Sequence, residues 1–277
     1  MTPNHVCAVI LAAGEGQRLR PLTATVPKAL CPVGNVPLLD HALARVSGLG
    51  LSGPDSVAVN AAYLAGQIVA HVAARTRLSV EPDGPLGTSG GLARLKTWVD
   101  GRGVLIGNAD GYLADPAREP GKDIAILLEG WSGETVRMLT RPLPPGQSGG
   151  FGGRRFAGFS LLPWRYVRDL PETKAELVRT AWRPAEAAGE LELIGFDGTY
   201  IDTGTPADYL AANLHAAAGR TDPTAEVTGT VTESVIGPGA RVAGSVTRCV
   251  VWPGAVVAAG EVLVDAIRAP GNLTVQV

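Results

Sequence analysis

The segment from Leu11 to Lys28, LAAGEGQRLRPLTATVPK, gathers the residue types that manage phosphate chemistry. Gly14 and Gly16 follow directly on an apolar run. Their bare backbone can approach a polyphosphate closely, and successive N–H groups can point at its oxygens. Arg18 adds a planar fork of donors, and Lys28 adds a point charge on a mobile stem. That lysine is informative, because the chain has 24 cationic residues and only Lys28, Lys96, Lys122 and Lys174 are lysines. Two familiar phosphate loops are excluded by spelling. A Walker loop needs Gly-Lys-Ser/Thr, which is absent, and a dinucleotide fingerprint needs a third glycine where Leu19 stands. Covalent and zinc chemistry find little support. Cys7, Cys31 and Cys249 are too scattered for a disulfide framework or a zinc site, and His5, His41, His71 and His215 are equally dispersed.

These groups need a frame, and the hydrophobic pattern supplies one. Val6 to Leu11 is uninterrupted, as in a strand covered on both faces. Pro37 to Val46 places Leu38, Leu39, Ala42, Leu43 and Val46 on one helical face. Ser56 to Asn60 reads as a strand, Tyr63 to Ala74 as a helix, Arg77 to Glu81 as a strand and Thr88 to Val99 as a helix. Val104 to Ile106 is a strand that ends near Asp110. This alternation predicts an α/β fold with a mostly parallel sheet and helices on both faces. Ligands of such sheets sit at the carboxyl ends of the strands, where Gly14, Glu81 and Asp110 fall. Residues 123–159 turn to β segments between Gly/Pro loops, of which 142–153 is either a flexible cover for a ligand or a plain surface loop. A last helix runs from Pro206 to about Ala218, with Thr205 as its N-cap and Asp208 at its third position.

From about Thr221 a repeat begins. Pro-Gly pairs recur at 238, 253 and 270, within SVIGPGARV, CVVWPGAVV and AIRAPGNLTV. Ile236/Val242 and Val251/Val257 keep a six-residue step, the spacing of a parallel β-helix. Two domains are therefore expected, residues 1–220 and 221–277. So short a coil must pack on the first domain or on another subunit, which predicts a homodimer or higher oligomer.

Composition narrows the partners. With 24 basic and 26 acidic residues the net charge is −2, which argues against a nucleic-acid binder. The sequence has no apolar run long enough to cross a membrane and no secretory pattern, so a soluble cytoplasmic protein is expected, with no membrane partner.

The string from Leu11 to Lys28 resembles the signature of the sugar-phosphate nucleotidyltransferases. GPLGTSGGL (84–92) resembles their base-reading loop and following helix. IGNAD, ending at Asp110, resembles a strand-end metal motif. FAGF from Phe156 resembles the strand whose glycine lies beside the sugar, and YIDTGTPADYL from Tyr200 resembles a second metal motif. The matches span about 6–215, and the tail is similar to the left-handed β-helix of many guanylyltransferase members. The resemblance implies a Rossmann-like three-layer α/β/α domain followed by a short left-handed parallel β-helix. It implies in-line attack of a sugar 1-phosphate on the α-phosphorus of a nucleoside triphosphate, with release of pyrophosphate. Arg18, Lys28, Asp110 and Asp202 would be catalytic, and Asp110 and Asp202 would hold Mg²⁺. Leu11, Ala12, Ala13, Gly14, Glu15, Gly16, Gln17, Glu81, Gly87, Thr88 and Asn108 would bind the nucleotide. Gly158, Arg141 and Glu176 would meet the sugar phosphate.

The base and the sugar are less fixed. A carboxylate at Glu81 could accept two donors from the guanine edge, favouring GTP over UTP, dTTP or ATP; alternatively, Glu81 is only a strand-end residue facing solvent. Gln17 stands where relatives have Thr or Ser, and Ala109 where they have Gly. The family's Glu-Lys-Pro segment is replaced by Thr140-Arg141-Pro142, so Arg141, or else Arg154 or Arg155, takes the lysine's place. Glu176 or Glu172 would serve the sugar hydroxyls. The acceptor is open among mannose 1-phosphate, a heptose phosphate and a cyclitol phosphate. A silent paralogue that binds nucleotide sugar and regulates a partner enzyme is the alternative. The four charged residues Arg18, Lys28, Asp110 and Asp202, all present, speak against it.

Overall fold

A computed structural model describes residues 5–277, which divide into two compact units. The first comprises residues 5–15 and Leu39–Tyr200, and the second comprises Gly16–Leu38 and Ile201–Val277. The first unit is built on seven strands: β1 (Val6–Leu11), β2 (Val57–Ala61), β3 (Arg77–Val80), β4 (Gly103–Asn108), β5 (Val136–Pro142), β6 (Arg154–Leu162) and β7 (Leu191–Gly195). They lie in the order β7-β5-β6-β4-β1-β2-β3. β1 pairs in parallel with β2 and β4, β2 with β3, and β7 with β5, whereas β6 runs antiparallel to both β4 and β5. The expected Rossmann-like core is present, with one reversed strand inside it.

The unbroken apolar run of β1 is explained by burial on both sides. Cys7 and Val9 face a cluster with Leu92, Leu95, Val99, Met138 and Trp182, while Ala8 and Ile10 on the other face are equally buried. Helices α1 (Leu38–Gly48), α2 (Ala65–Val72) and α3 (Gly87–Ala93) match the periodic segments. The single helix expected from Thr88 to Val99 is broken. It becomes α3 followed by the short α4 (Lys96–Val99). Burial pushes the thiols of Cys7 and Cys31 up to about 12, so neither is a nucleophile near neutral pH.

One buried ion pair ties the first unit together. Arg45 of α1 donates through Nε to Asp123 Oδ2 at 3.0 Å and through Nη2 to the carbonyl of Leu113. The second Asp123 oxygen accepts from Gly121 N at 2.9 Å.

In the second unit a coil of short parallel strands carries the Pro-Gly repeat. Three ladders rise together: Glu226–Val227, Arg241–Val242 and Val256–Val257; Thr230–Thr232, Ser245–Thr247 and Val262–Val264; Val235–Ile236, Val250–Val251 and Ala266–Ala269. Parallel pairing in each ladder is as a β-helix requires. Gly239, Gly254 and Gly271 have φ of 62°, 70° and 72°, the left-handed turn position that follows proline and favours glycine. At another corner Glu233, Arg248 and Asp265 stand in the same left-handed region without being glycine. There Arg248 Nε donates to Asp265 Oδ1 at 2.7 Å, which holds the Asp265 carboxyl below its usual range. A short helix, α5 (Arg183–Ala187), belongs to the first unit, and the last, α6 (Pro206–Ala217), to the second; Thr205 Oγ1 accepts from Asp208 N at 3.2 Å, the expected cap.

Removing one partner of a buried ion pair leaves the other charge uncompensated. Asp123→Ala should therefore cost about 3–5 kcal/mol of stability, read as a lowered denaturation midpoint in urea.

Candidate functional site

The carboxyl ends of β1, β2 and β3 are joined by one side chain that sequence reasoning missed. Asn60, buried at the end of β2, accepts from Ala12 N through Oδ1 at 2.7 Å. Its Nδ2 donates to Glu81 Oε1, also at 2.7 Å. The other Glu81 oxygen accepts from Leu86 N at 2.7 Å. Ala12 of the first loop and Leu86 of the second are thus fixed through one relay. Gly91 of α3 has to be bare, because a Cβ there would stand 2.5 Å from Asn60 Nδ2 and 2.8 Å from Glu81 Oε1. The expected open carboxylate at Glu81 is corrected by this geometry. Glu81 is only 2% exposed and both its oxygens have protein donors, so it positions the two loops and is closed to a base edge. The sequence held one signal for Asn60, an amide closing an otherwise apolar strand.

Gly14 is exposed, with no atom within 4 Å of where a side chain would start, so backbone there can take a ligand closely. Glu15 is half-buried. Ala109 N donates to Leu11 O at 3.0 Å, which locks the end of β4, with Asn108 and then Asp110, beside the end of β1. Asp110 is half-buried.

The start of α3 is covered by the segment 173–177. Thr88 N and Thr88 Oγ1 donate to Glu176 Oε2 at 3.2 and 2.7 Å, while Thr88 Oγ1 accepts from Leu177 N at 2.8 Å. Gly87 lies so close that a Cβ would meet Ala175 O at 2.5 Å and Glu176 Oε1 at 2.6 Å. Glu176, expected at the sugar hydroxyls, is therefore engaged with the first turn of α3, where a carboxylate answers free N–H groups.

Within the second unit the structure brings three predicted residues together. Arg18, on the short turn Gln17–Leu19, approaches Asp202 Oδ2 at 3.5 Å, and Lys28 Nζ approaches Asp202 Oδ1 at 3.5 Å. Gly16 has φ 60°, and a Cβ there would stand 2.9 Å from Lys28 Cβ, so the position needs glycine on both counts. The glycine of the Asp-Thr-Gly-Thr run has a related reason. The guanidinium of Arg18 lies against Gly204, where a Cβ would be 2.5 Å from Nη2. Lys28, expected on a mobile stem, is buried to 5% exposure, so its charge is held in place. Gln17 is exposed.

The Asp202 side chain is 49% exposed, and its ion pairs are longer than a charge-assisted hydrogen bond, so its oxygens are open to a hard cation. Among the described residues no group of three or more His, Cys, Asp and Glu is arranged as a metal cage. That suits a cation taking one or two carboxylates and completing its shell with phosphate and water.

On the sugar side, Gly158 has φ 84° and the Tyr200 ring beside it, 3.4 Å from where its Cβ would be. The same ring would press on a Cβ at Gly111 at 2.8 Å. Tyr200 was also missed; an aromatic two residues before Asp202 was the available signal. Arg141 is corrected as a phosphate ligand. Its Nη1 donates to the carbonyls of Asp197, at 3.1 Å, and Gly198, so the side chain holds that turn.

Residues 7–115 match the Nucleotidyl transferase family model. The chain is 25% identical over 240 residues to a mannose-1-phosphate guanylyltransferase of Mycobacterium tuberculosis, covering 76% of this chain and 64% of that one. It is 37% identical over 109 residues to an N-acetylmuramate alpha-1-phosphate uridylyltransferase of Neisseria meningitidis, covering 37% of this chain and 46% of that one. The matched region thus spans less than two thirds of either relative. Among solved structures, a Bacillus anthracis protein described as a glucose-1-phosphate thymidylyltransferase superposes with a TM-score of 0.60 at 17% identity. That match covers 76% of this chain and 95% of that one, and shares the fold.

Glu81→Gln keeps the shape but sets a second NH₂ group against Asn60 Nδ2 or Leu86 N. It should destabilise the protein by about 1–3 kcal/mol in chemical denaturation. Any selectivity among nucleotides should be unchanged in competition binding, since both Glu81 oxygens are taken by protein donors.

Proposed function

We propose that this chain, whose residues 7–115 match the Nucleotidyl transferase family model, transfers a nucleoside monophosphate from a nucleoside triphosphate to a sugar 1-phosphate. The observation that carries this reading is the Arg18–Asp202–Lys28 cluster beside Gly16, one buried and one exposed cation on one half-open carboxylate. A phosphate oxygen of the sugar substrate attacks the α-phosphorus, the bond to the β-phosphate oxygen breaks, and pyrophosphate leaves. Both reactants are anions, so the work of the protein is alignment and charge cancellation. Arg18 steadies the charge that develops on pyrophosphate. Lys28, immobilised by burial, holds the phosphates without reorganising as the reaction proceeds. The backbone of Leu11 to Gly14 lies along the triphosphate, and Gly87, Thr88 and Asn108 line the nucleoside. Asp110 in the first unit and Asp202 in the second are each proposed as magnesium ligands, and the cation would screen phosphate charge.

The base is the finer question. The buried Glu81 carboxylate offers no open acceptor pair to a guanine edge, so it gives GTP no advantage. Relatives are named for both guanylyl and uridylyl transfer, so the triphosphate is set by experiment. We place the reaction in the cytoplasm, with which three buried free cysteines accord. No helix among the described residues is long and apolar enough to cross a membrane.

Pyrophosphate release measured with Mg²⁺ across GTP, UTP, dTTP, ATP and CTP, against mannose, glucose and N-acetylmuramate 1-phosphates, is the direct test. Turnover is expected with one base strongly preferred, falling at least about 100-fold in Asp110→Asn and in Asp202→Asn with the fold intact. Nucleotide-sugar binding without turnover in the native chain would replace this reading with the regulatory one.

We further propose a homo-oligomer that uses the coil. On the last turn of the coil Val256 of one ladder and Val262 and Val264 of the next are exposed by 43%, 70% and 41%, apolar side chains suited to a strip covered by a second copy. Val262→Lys should lower the mass in light scattering, while an unchanged mass would set the strip aside.

A further inference from the structure

We propose that the first unit carries a second small-molecule site, apart from the loops at the carboxyl ends of the strands, for an organic anion with an apolar body. A cavity of about 460 Å³ lies between α1, the turn that leads into β2 and the turn that leads into β3. Val57, the first residue of β2, and Thr76, which immediately precedes β3, both line it. The loops of the candidate site leave the other ends of these strands, at Asn60 and Glu81. The cavity is therefore a separate feature of the same unit.

Its walls are apolar and its mouth is open. Leu43, Val46, Leu51 and Val57 supply the apolar lining. Asp40, Leu43, Ala44 and Ser47 are spaced i, i+3, i+4 and i+7, so one face of α1 is turned toward it. Ala44 and Ser47 are small and exposed, and they leave unfilled a space that larger side chains on this face would take. Water in such a cavity meets few polar partners, so an apolar group gains by replacing it. The volume lies in the range of small-molecule sites.

The charges at the rim decide the sign of the ligand. Asp40 Oδ1 accepts from Arg75 Nη1 at 3.1 Å and from Nη2 at 3.2 Å, and Asp40 Oδ2 lies 2.8 Å from His71 Nε2. Both carboxylate oxygens are thus taken. Arg75 Nη2 also donates to the carbonyl of His71 at 3.0 Å. The Arg75 side chain is nevertheless 51% exposed, and among the described residues its Nε has no protein acceptor. A cation would have to displace Arg75 and His71 from Asp40. An anion instead adds to a guanidinium that is already held in place and still has donors to give. The site suits a molecule of one or two rings with a carboxylate, sulfonate or phosphate at one end.

Anilinonaphthalene sulfonate and its uncharged analogue phenylnaphthylamine, which lacks only the sulfonate, test this by fluorescence titration of the full chain. Both should bind the native protein, and neither GTP nor UTP should displace them. Ala44→Trp fills the cavity from an exposed position; it should weaken both probes by about tenfold or more and leave the thermal midpoint unchanged. Arg75→Met keeps the apolar stem and removes the charge. It should weaken the sulfonate by about tenfold and leave the uncharged probe unaffected, which also shows that the cavity still stands in that variant. Failure of both probes to bind the native chain, native affinity for both in Ala44→Trp, native affinity for the sulfonate in Arg75→Met, or displacement by a triphosphate would overturn the proposal. None of these readouts depends on turnover, so the site is tested separately from the transfer reaction.

Discussion

The Asn60 carboxamide has one acceptor end and one donor end, and the first unit uses both. The acceptor fixes a backbone N–H of the loop after β1, and the donor fixes a carboxylate after β3, which in turn fixes the backbone before α3. A buried carboxylate is tolerable only where hydrogen bonds replace its lost water, and Glu81 obtains them from an amide and a backbone N–H. The arrangement leaves no room for a side chain at Gly91, which accounts for small residues where α3 passes the relay. Two ligand loops from distant parts of the sequence thereby share one anchor. A static anchor suits a reaction whose demand is alignment.

The second unit applies the same economy to charge. Arg18 and Lys28 come from short turns that have little regularity of their own, and such turns are usually mobile. Here they are held by contacts that only glycine permits, Gly16 under Lys28 and Gly204 under Arg18. Thr23 Oγ1 donates to Gly16 O at 2.8 Å and closes the loop between the two cations. Glycine in these motifs therefore does more than let phosphate in. It lets the cations approach the backbone.

Much of this was legible from sequence, for physical reasons that differ by element. β1 was legible because a strand buried on both faces has to be apolar throughout. The coil was legible because Pro-Gly recurs wherever a left-handed corner follows a fixed φ, and α6 because Thr205, Pro206 and Asp208 each satisfy a different need of a helix start. The cluster of Arg18, Lys28 and Asp202 was legible through the resemblance of its motifs. What escaped depends on partners far apart in the chain. Glu81 reads from sequence as a base reader or a solvent-facing strand end, because nothing near it in sequence announces Asn60. Glu176 was assigned to the sugar because its docking on Thr88 joins segments 88 residues apart. Arg141 was offered to phosphate because the carbonyls it holds lie beyond β7. The break between α3 and α4 fell inside a pattern that reads as continuous, since periodicity reports which face is buried and not where the axis bends.

The corner residues Glu233, Arg248 and Asp265 have a consequence for how the coil comes apart. Each coil bonds to the next at a separation of 15 or 17 residues, as from Ser234 to Cys249 and from Arg248 to Asp265. Within the ladders each rung answers to the rung before and the rung after, with α6 laid along the third ladder, so nearest-neighbour steps carry much of the free energy. Such a stack can fray one layer at a time from an end, like a spring losing its last loops. The alternating charges along that corner act as rivets between successive layers, strongest where Arg248 is clasped by Asp265.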